Sequence, residues 1–194
     1  MGSGKSYISS LFKEQGVPVY NSDERARWVN NNIPDLKEKI IREFGDVYDS
    51  QGNMDRFKVR KIVFVEGAED RLKKLNEICH PYVISDFEDF CSENHDSKFV
   101  LAESAILFES GMNLRMDRII FVDAPYSVRI GRVFKRDGIL PQEYDIRMRK
   151  QMDETEKKRL SDFLVFNGEG SDCHFQVKKI YQILANSDKG GIFV

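Results

Sequence analysis

Apolar positions along the chain follow two rhythms, and the points where one replaces the other outline its organisation. Phe99-Val100-Leu101-Ala102, Ile119-Ile120-Phe121-Val122 and Phe163-Leu164-Val165-Phe166 are short unbroken apolar runs. Such runs suit strands buried on both faces of a parallel sheet. Val17-Pro18-Val19-Tyr20 is a fourth, shorter strand. Helical spacing fills most of the remainder. Tyr7 to Phe12 reads as a helix closing near Gly16. Asn21-Ser22-Asp23 then opens a polar helix through Arg25, Trp28 and Val29, with Ser22 or Asp23 as N-cap. Pro34 starts a helix that carries Leu36, Ile40, Ile41 and Phe44 and ends at Gly45. Asp49-Ser50-Gln51-Gly52 is a turn, and 55–64, 68–79 and 81–91 all have helical periodicity.

Helices at 128–136 and 141–152 separate the last two apolar runs, and 172–186 is a closing amphipathic helix. The tail, 187–194, is a polar hinge ending in Ile192-Phe193-Val194. This pattern predicts an α/β fold with a parallel sheet flanked by helices. Its core comprises 1–32 and 99–186, interrupted by a helical insertion over 33–98 that suits substrate binding. A chain of 194 residues can bury one such core.

Composition narrows the partners. Thirty basic against thirty-two acidic residues give a net charge of −2, so no general affinity for nucleic acid or other polyanions is implied. The sequence holds no apolar run of membrane-spanning length and no signal-peptide pattern. Cys79, Cys91 and Cys173 are odd in number and widely spaced, which points to reduced thiols in a cytoplasmic protein. His80, His95 and His174 show no metal-ligand spacing.

The chemistry begins at the first residues. Gly2-Ser3-Gly4-Lys5-Ser6 matches the second half of the phosphate-binding pattern G-x-x-x-x-G-K-[ST]. Glycines permit positive φ and leave backbone N–H groups bare, so the chain can curl around phosphate oxygens. Lys5 supplies a point charge near the β- and γ-phosphates, Ser6 a hydroxyl for Mg²⁺, and the following helix a positive end. The same five residues can also occur as a flexible linker, but the loop, helix, strand order favours the phosphate loop.

Three further groups gain meaning from that loop. Asp23 follows the strand at 17–20 at the carboxyl end of the sheet, where it can accept a proton from an attacking hydroxyl. The same side chain serves equally as an N-cap. Glu103 and Glu109 lie just past the strand at 99–102, where a Mg²⁺ ligand belongs, although a solvated loop carboxylate is the plainer alternative. Arg129, Arg132, Arg136, Arg147 and Arg149 stud two helices joined by Asp137-Gly138-Ile139-Leu140-Pro141. That segment, about 127–152, reads as a lid over a triphosphate, or as a charged surface whose arginines pair with Asp145, Asp153 and Glu154. Asn167-Gly168 can hold a purine ring or form an ordinary turn.

Taken together, these segments resemble the dephospho-coenzyme A kinase family nearly end to end. The resemblance is carried by Gly2–Ser6, Gly16-Val17-Pro18-Val19 leading to Asp23, Phe44-Gly45, and Gly52-Asn53-Met54-Asp55-Arg56 through Arg60. It continues with His80-Pro81, Leu107-Phe108-Glu109-Ser110-Gly111, Arg132 through Arg136-Asp137-Gly138, Arg147 with Gln151-Met152, and Asp162-Phe163 ending at Asn167. The resemblance implies a five-stranded parallel core, a helical coenzyme-A-binding domain and a lid. It implies transfer of the ATP γ-phosphoryl group to the ribose 3′-hydroxyl of dephospho-coenzyme A, with Mg²⁺. It assigns Asp23 as base. Gly2, Ser3, Gly4, Lys5, Ser6, Tyr7 and Asn167 become nucleotide contacts, with Arg132, Arg136 and Arg147 from the lid. Lys5 and Arg136 also serve catalysis. Asp23, Arg56 and His80 are assigned to the acceptor, and Ser6 and Glu103 to the metal.

Departures from the family pattern are informative. Asn21 stands where the family has an aspartate, which lessens like-charge repulsion and favours an ionised Asp23. Glu103 replaces a shorter aspartate. In the family a strand before the loop lies centrally, beside those resembling 99–102 and 119–122. Without it their inner edges would carry unpaired groups costing about 1–3 kcal/mol each. The expectation is therefore of about ten further residues upstream, a strand's length plus loop, with the tail at 192–194 left out of the sheet. A nucleoside or nucleotide kinase, or a nucleotide-binding protein without turnover, are the competing readings. A monomer or small homo-oligomer acting on a small molecule is expected.

Overall fold

A computed structural model of the chain describes residues 1–63, 69–186 and 191–193. They divide into two compact units, Met1–Asn21 with Asn94–Val194, and Ser22–Glu93.

The first unit holds all five named strands. β1 (Val19–Asn21) and β2 (Phe99–Glu103) run parallel, with Val19, Tyr20 and Asn21 opposite Leu101, Ala102 and Glu103. β3 (Ile120–Asp123) and β4 (Phe163–Phe166) form a second parallel pair. β5 (Gly191–Phe193) lies parallel on the other edge of β2, with Gly191 opposite Phe99 and Phe193 opposite Leu101. The expectation that the tail stays out of the sheet is therefore corrected. The open edge of β2 offers a row of backbone donors and acceptors, and a strand-forming tail within reach pairs with it. Hinge residues 187–190 and Val194 lie outside the described residues. The expected single sheet is instead a three-stranded and a two-stranded ladder.

α1 (Lys5–Glu14) and α9 (Cys173–Ala185) cover both ladders with one core. Ile8, Leu11 and Phe12 from α1 meet Phe99, Leu101, Ile120 and Val165 from the strands and Val177, Ile180 and Leu184 from α9. Phe12 is fully buried and meets Phe99 edge-to-face. Asp172 caps α9, its carboxylate accepting the Phe175 N–H at 2.9 Å. A cavity of about 100 Å³ remains beneath α1, between 101–105 and 119–122.

Between β3 and β4 run α6 (Tyr126–Asp137), α7 (Pro141–Met148) and α8 (Glu154–Arg159). Val133, Ile139 and Tyr144 make a small core of their own, packed against Met1, Ile130 and Met148. The helix expected to run to 152 stops at Met148. Asp153 then accepts the Thr155 and Glu156 N–H groups and starts α8 instead.

The second unit is helical: α2 (Ser22–Asn32), α3 (Pro34–Phe44), α4 (Arg56–Val63) and α5 (Glu69–Glu93). Val29, Leu36, Ile40, Val47, Tyr48, Val63, Leu75 and Cys79 fill its core. Pro34 occupies the first turn of α3, where a missing N–H costs nothing, and Asp55 caps α4. Two helices were expected across 68–91. One 25-residue helix is found instead, with Pro81 inside it. Its length lets neighbouring turns and packing against α2, α3 and α4 hold it across the one lost rung. The start expected at 68 falls outside the described residues, as does Phe64. Arg25 grips Asp86 with two hydrogen bonds, joining α2 to α5.

Phe12→Ala should lower unfolding free energy by about 3–5 kcal/mol, because the surrounding α1 and α9 side chains can only partly close the void. Urea denaturation followed by far-UV circular dichroism measures it.

Candidate active site

The phosphate loop sits where its chemistry requires. Gly2 and Gly4 have φ of 75° and 90°, a conformation open to glycine at little cost. Space enforces the same choice. A Cβ on Gly2 would lie 2.6 Å from the Arg129 carbonyl oxygen, and one on Gly4 would lie 2.1 Å from Asn167 Nδ2. Gly4 is also the N-cap of α1 and brings no capping side chain, so the helix presents its positive end with the first-turn N–H groups uncapped by a side chain. The first turn holds no acidic residue to compete with an anion.

A cleft of about 170 Å³ opens here, lined by Gly2, Gly4, Lys5, Ser6, Arg132, Val133 and Arg136. Of the expected nucleotide contacts, the structure thus brings the loop together with two of the three lid arginines. Arg136 lies against Asp137 at 2.7 Å, and Arg147 pairs with Glu143 at 2.6 Å on the exposed face of α7. Hydrogen bonding to Asp137 raises the Arg136 guanidinium above its ordinary value, so it remains charged. Tyr7 is half exposed on α1, beside the His174 ring.

Ser6 and Glu103, the two residues expected at a metal, lie in contact. The Ser6 hydroxyl donates to Glu103 Oε1 at 2.6 Å, joining the start of α1 to the end of β2. A hydroxyl and a carboxylate beside a phosphate cradle are hard oxygen donors, and Mg²⁺ takes only one or two protein oxygens when phosphates and water complete its shell. The donor set fits that ion.

Asp23 lies in the first turn of α2, two residues beyond Asn21, which pairs with Glu103. Its side chain is exposed. Arg56 opens α4 and is exposed, and His80 is half-buried in α5, one residue before Pro81. All three belong to the helical unit.

Asn167 is placed differently from an open purine contact. It is 6% exposed, and its amide donates to the Ser3 carbonyl at 2.8 Å. Sequence reasoning missed Tyr144, a residue 1% exposed whose hydroxyl donates to the Met1 carbonyl at 3.1 Å. The contact between Arg129 and Glu154, by contrast, is one of the ion pairs that the charged-surface reading of 127–152 offered. Only chain-distant geometry reveals the Tyr144 contact; no local spacing marks it.

Glu109 is a second such case. Its Oε1 accepts the Met152 N–H at 2.9 Å and lies 2.7 Å from the buried Lys157 ammonium. One carboxylate therefore ties the segment after α7 and helix α8 to the loop following β2. Burial alone would raise the Glu109 pKa. The hydrogen bonds from Lys157 and the backbone outweigh it and hold the carboxyl below its ordinary value of 4.5.

These features define a P-loop phosphotransferase: a glycine cradle on a helix end, a lysine and arginines around it, and a hydroxyl–carboxylate pair beside it. Comparison with known proteins specifies which. The dephospho-CoA kinase family model matches residues 1–172. A dephospho-CoA kinase of Aquifex aeolicus is 32% identical over 186 residues, covering 95% of this chain and 93% of its own. One from Porphyromonas gingivalis is 36% identical, covering 95% and 89%. Among solved structures, TT1252 of Thermus thermophilus has a TM-score of 0.82 at 28% identity, covering 97% of this chain and 94% of its own. The Campylobacter jejuni dephospho-CoA kinase shares the fold, with a TM-score of 0.66 at 21% identity and coverage of 97% and 95%. The chain belongs to the dephospho-CoA kinase family.

A carboxyl with a lowered folded-state pKa stabilises the protein above its unfolded value, and loses that contribution as pH falls through the lowered one. Glu109→Gln should therefore be less stable than wild type at neutral pH. The two proteins should converge as pH drops below about 4.5. Urea midpoints taken across pH 3–7, about the span over which a carboxyl titrates, measure this.

Proposed function

We propose that the protein transfers the γ-phosphoryl group of ATP to the ribose 3′-hydroxyl of dephospho-coenzyme A, giving coenzyme A and ADP, the reaction of its family. The observation that carries this reading is the cleft in which Gly2, Gly4, Lys5 and Ser6 face Arg132 and Arg136, with Ser6 bonded to Glu103. Backbone N–H groups of 2–6 and the Lys5 ammonium take the β- and γ-phosphates. Ser6 and Glu103 would hold Mg²⁺, which supplies neutralisation of charge between those phosphates. Tyr7 flanks the nucleotide from the second half of the first turn.

In the helical unit, Asp23 accepts the proton of the 3′-hydroxyl as its oxygen bonds to the γ-phosphorus. The bond from that phosphorus to the β-γ bridging oxygen breaks, and ADP leaves with the electron pair. Arg56 and His80 contact the acceptor. Arg136 exchanges Asp137 for phosphate oxygens, and Arg147 exchanges Glu143, stabilising charge on the moving group. Alignment and charge neutralisation supply most of the acceleration, since a sugar hydroxyl is a weak nucleophile.

Cys79, Cys91 and Cys173 are all free thiols, which supports a cytoplasmic setting. Among the described residues, no helix is long and apolar enough to cross a membrane. We place the protein there as a monomer or small homo-oligomer.

A coupled assay of ADP release, run with dephospho-coenzyme A, with adenylate and with no acceptor, tests the assignment. Turnover is expected with dephospho-coenzyme A alone. Turnover with adenylate would make the protein a nucleotide kinase, and ATP binding without any turnover would remove catalysis. In the same assay Asp23→Asn should lower kcat by about two orders of magnitude or more with little change in ATP affinity, as loss of a base requires. Arg136→Ala should lower kcat and raise the KM for ATP together; an unchanged rate would return that arginine to the solvated surface.

A further inference from the structure

The phosphate loop is held from behind by three side chains distant in sequence. Tyr144 donates to the Met1 carbonyl at 3.1 Å, and Arg132 Nη1 donates to the Gly2 and Ser3 carbonyls at 3.4 and 3.3 Å. Asn167 Nδ2 donates to the Ser3 carbonyl at 2.8 Å in buried surroundings. Among the described residues every peptide bond is trans, so each N–H points opposite to the C=O of its own peptide unit. Turning the carbonyls of Met1, Gly2 and Ser3 toward α6, α7 and the end of β4 therefore turns the N–H groups of Gly2, Ser3 and Gly4 the other way. Positive φ at Gly2 and Gly4, but not at Ser3, gives the alternation that gathers successive N–H groups into one anion-binding concavity.

Asn167 is itself fixed on every side. Its N–H donates to the Asp123 carbonyl at 2.7 Å, extending the β3–β4 ladder by one residue. Its carbonyl oxygen accepts from Arg132 Nη2 at 3.2 Å, and its side-chain oxygen accepts from the Cys173 thiol at 3.5 Å. These contacts also settle which end of the amide faces the loop. Reversing it would set oxygen against the Ser3 carbonyl oxygen and nitrogen against the thiol.

We propose that Asn167, assisted by Arg132, is a positioning residue: its amide fixes the plane of the Ser3–Gly4 peptide, and through that plane the affinity of the loop for a triphosphate. The ligand class is a polyphosphate chain, with the purine not involved. Preorganised donors of this kind cost no reorganisation when the anion arrives. The inference rests on the cradle being the triphosphate site.

Titration calorimetry of the full chain with ATP, with inorganic triphosphate and with dephospho-coenzyme A, in Mg²⁺ buffer, tests it. Asn167→Asp keeps the shape but turns an acceptor on the Ser3 carbonyl. It should weaken ATP and inorganic triphosphate by the same factor, about 10- to 100-fold, the range expected when a buried carbonyl loses its donor. Dephospho-coenzyme A affinity should stay near wild type, while the melting temperature falls because a buried carbonyl has lost its donor. Asn167→Ala removes the donor without adding an acceptor, and should weaken both polyphosphates less than Asn167→Asp does. A loss confined to ATP would give the side chain to the purine and overturn the proposal. Unchanged affinities would overturn it too, as would equal losses for all three ligands. Should wild type bind neither ATP nor inorganic triphosphate, the reading of the cradle itself falls.

Discussion

A backbone that is to surround an anion must send its carbonyl oxygens elsewhere, and they must find donors there. In this protein the oxygens of Met1, Gly2 and Ser3 are received by Tyr144, Arg132 and Asn167, and that of Gly4 enters the first rung of α1. The helices and strand end that supply those donors are positioned by their own cores, around Val133 and Tyr144 in one case and Val165 and Cys173 in the other. The shape of the loop is thus a property of the whole strand-bearing unit, although the motif itself spans five residues. Family membership accords with this, since matching extends over 172 residues rather than over the loop alone.

Much of the fold was legible in the sequence because burial writes a simple pattern. The apolar runs at 99–102, 119–122 and 163–166 became β2, β3 and β4, each shifted by one residue or none at its start. Caps were legible for the same reason: Pro34, Gly45 and Gly138 mark the helix ends they were expected to mark. What escaped was structure that leaves no apolar periodicity. α8 is Glu-Thr-Glu-Lys-Lys-Arg, six polar residues whose only local signal is the Asp153 cap. The long α5 is not legible locally, because Pro81 marks a helix break by composition while packing against three neighbouring helices carries α5 through it.

The candidate site divides along the same line. Gly2, Gly4, Lys5, Ser6 and Glu103 were legible because their chemistry is carried by residue type and position on an element. The parts played by Tyr144 and Asn167 were not, since their contacts with the loop span 143 and 164 residues of chain. An Asn-Gly pair at a strand end reads locally as a turn or a ligand contact, and only the folded chain reveals what its amide faces. Placement of the tail on β2 is a similar long-range outcome, decided by an open ladder edge that a strand-forming tail reaches.

The seating of Gly2 on α6 carries a consequence for which sequences this fold can accept. A Cβ at position 2 would stand 2.9 Å from a Val133 methyl and closer still to the backbone one turn earlier. Residue 133 is therefore, in steric terms, the floor beneath the first glycine. A bulkier side chain there would press the loop from below as surely as a substitution in the loop would press from above. Position 133 thus has a volume ceiling that its own helix does not impose, and it should drift in evolution only among residues no larger than valine.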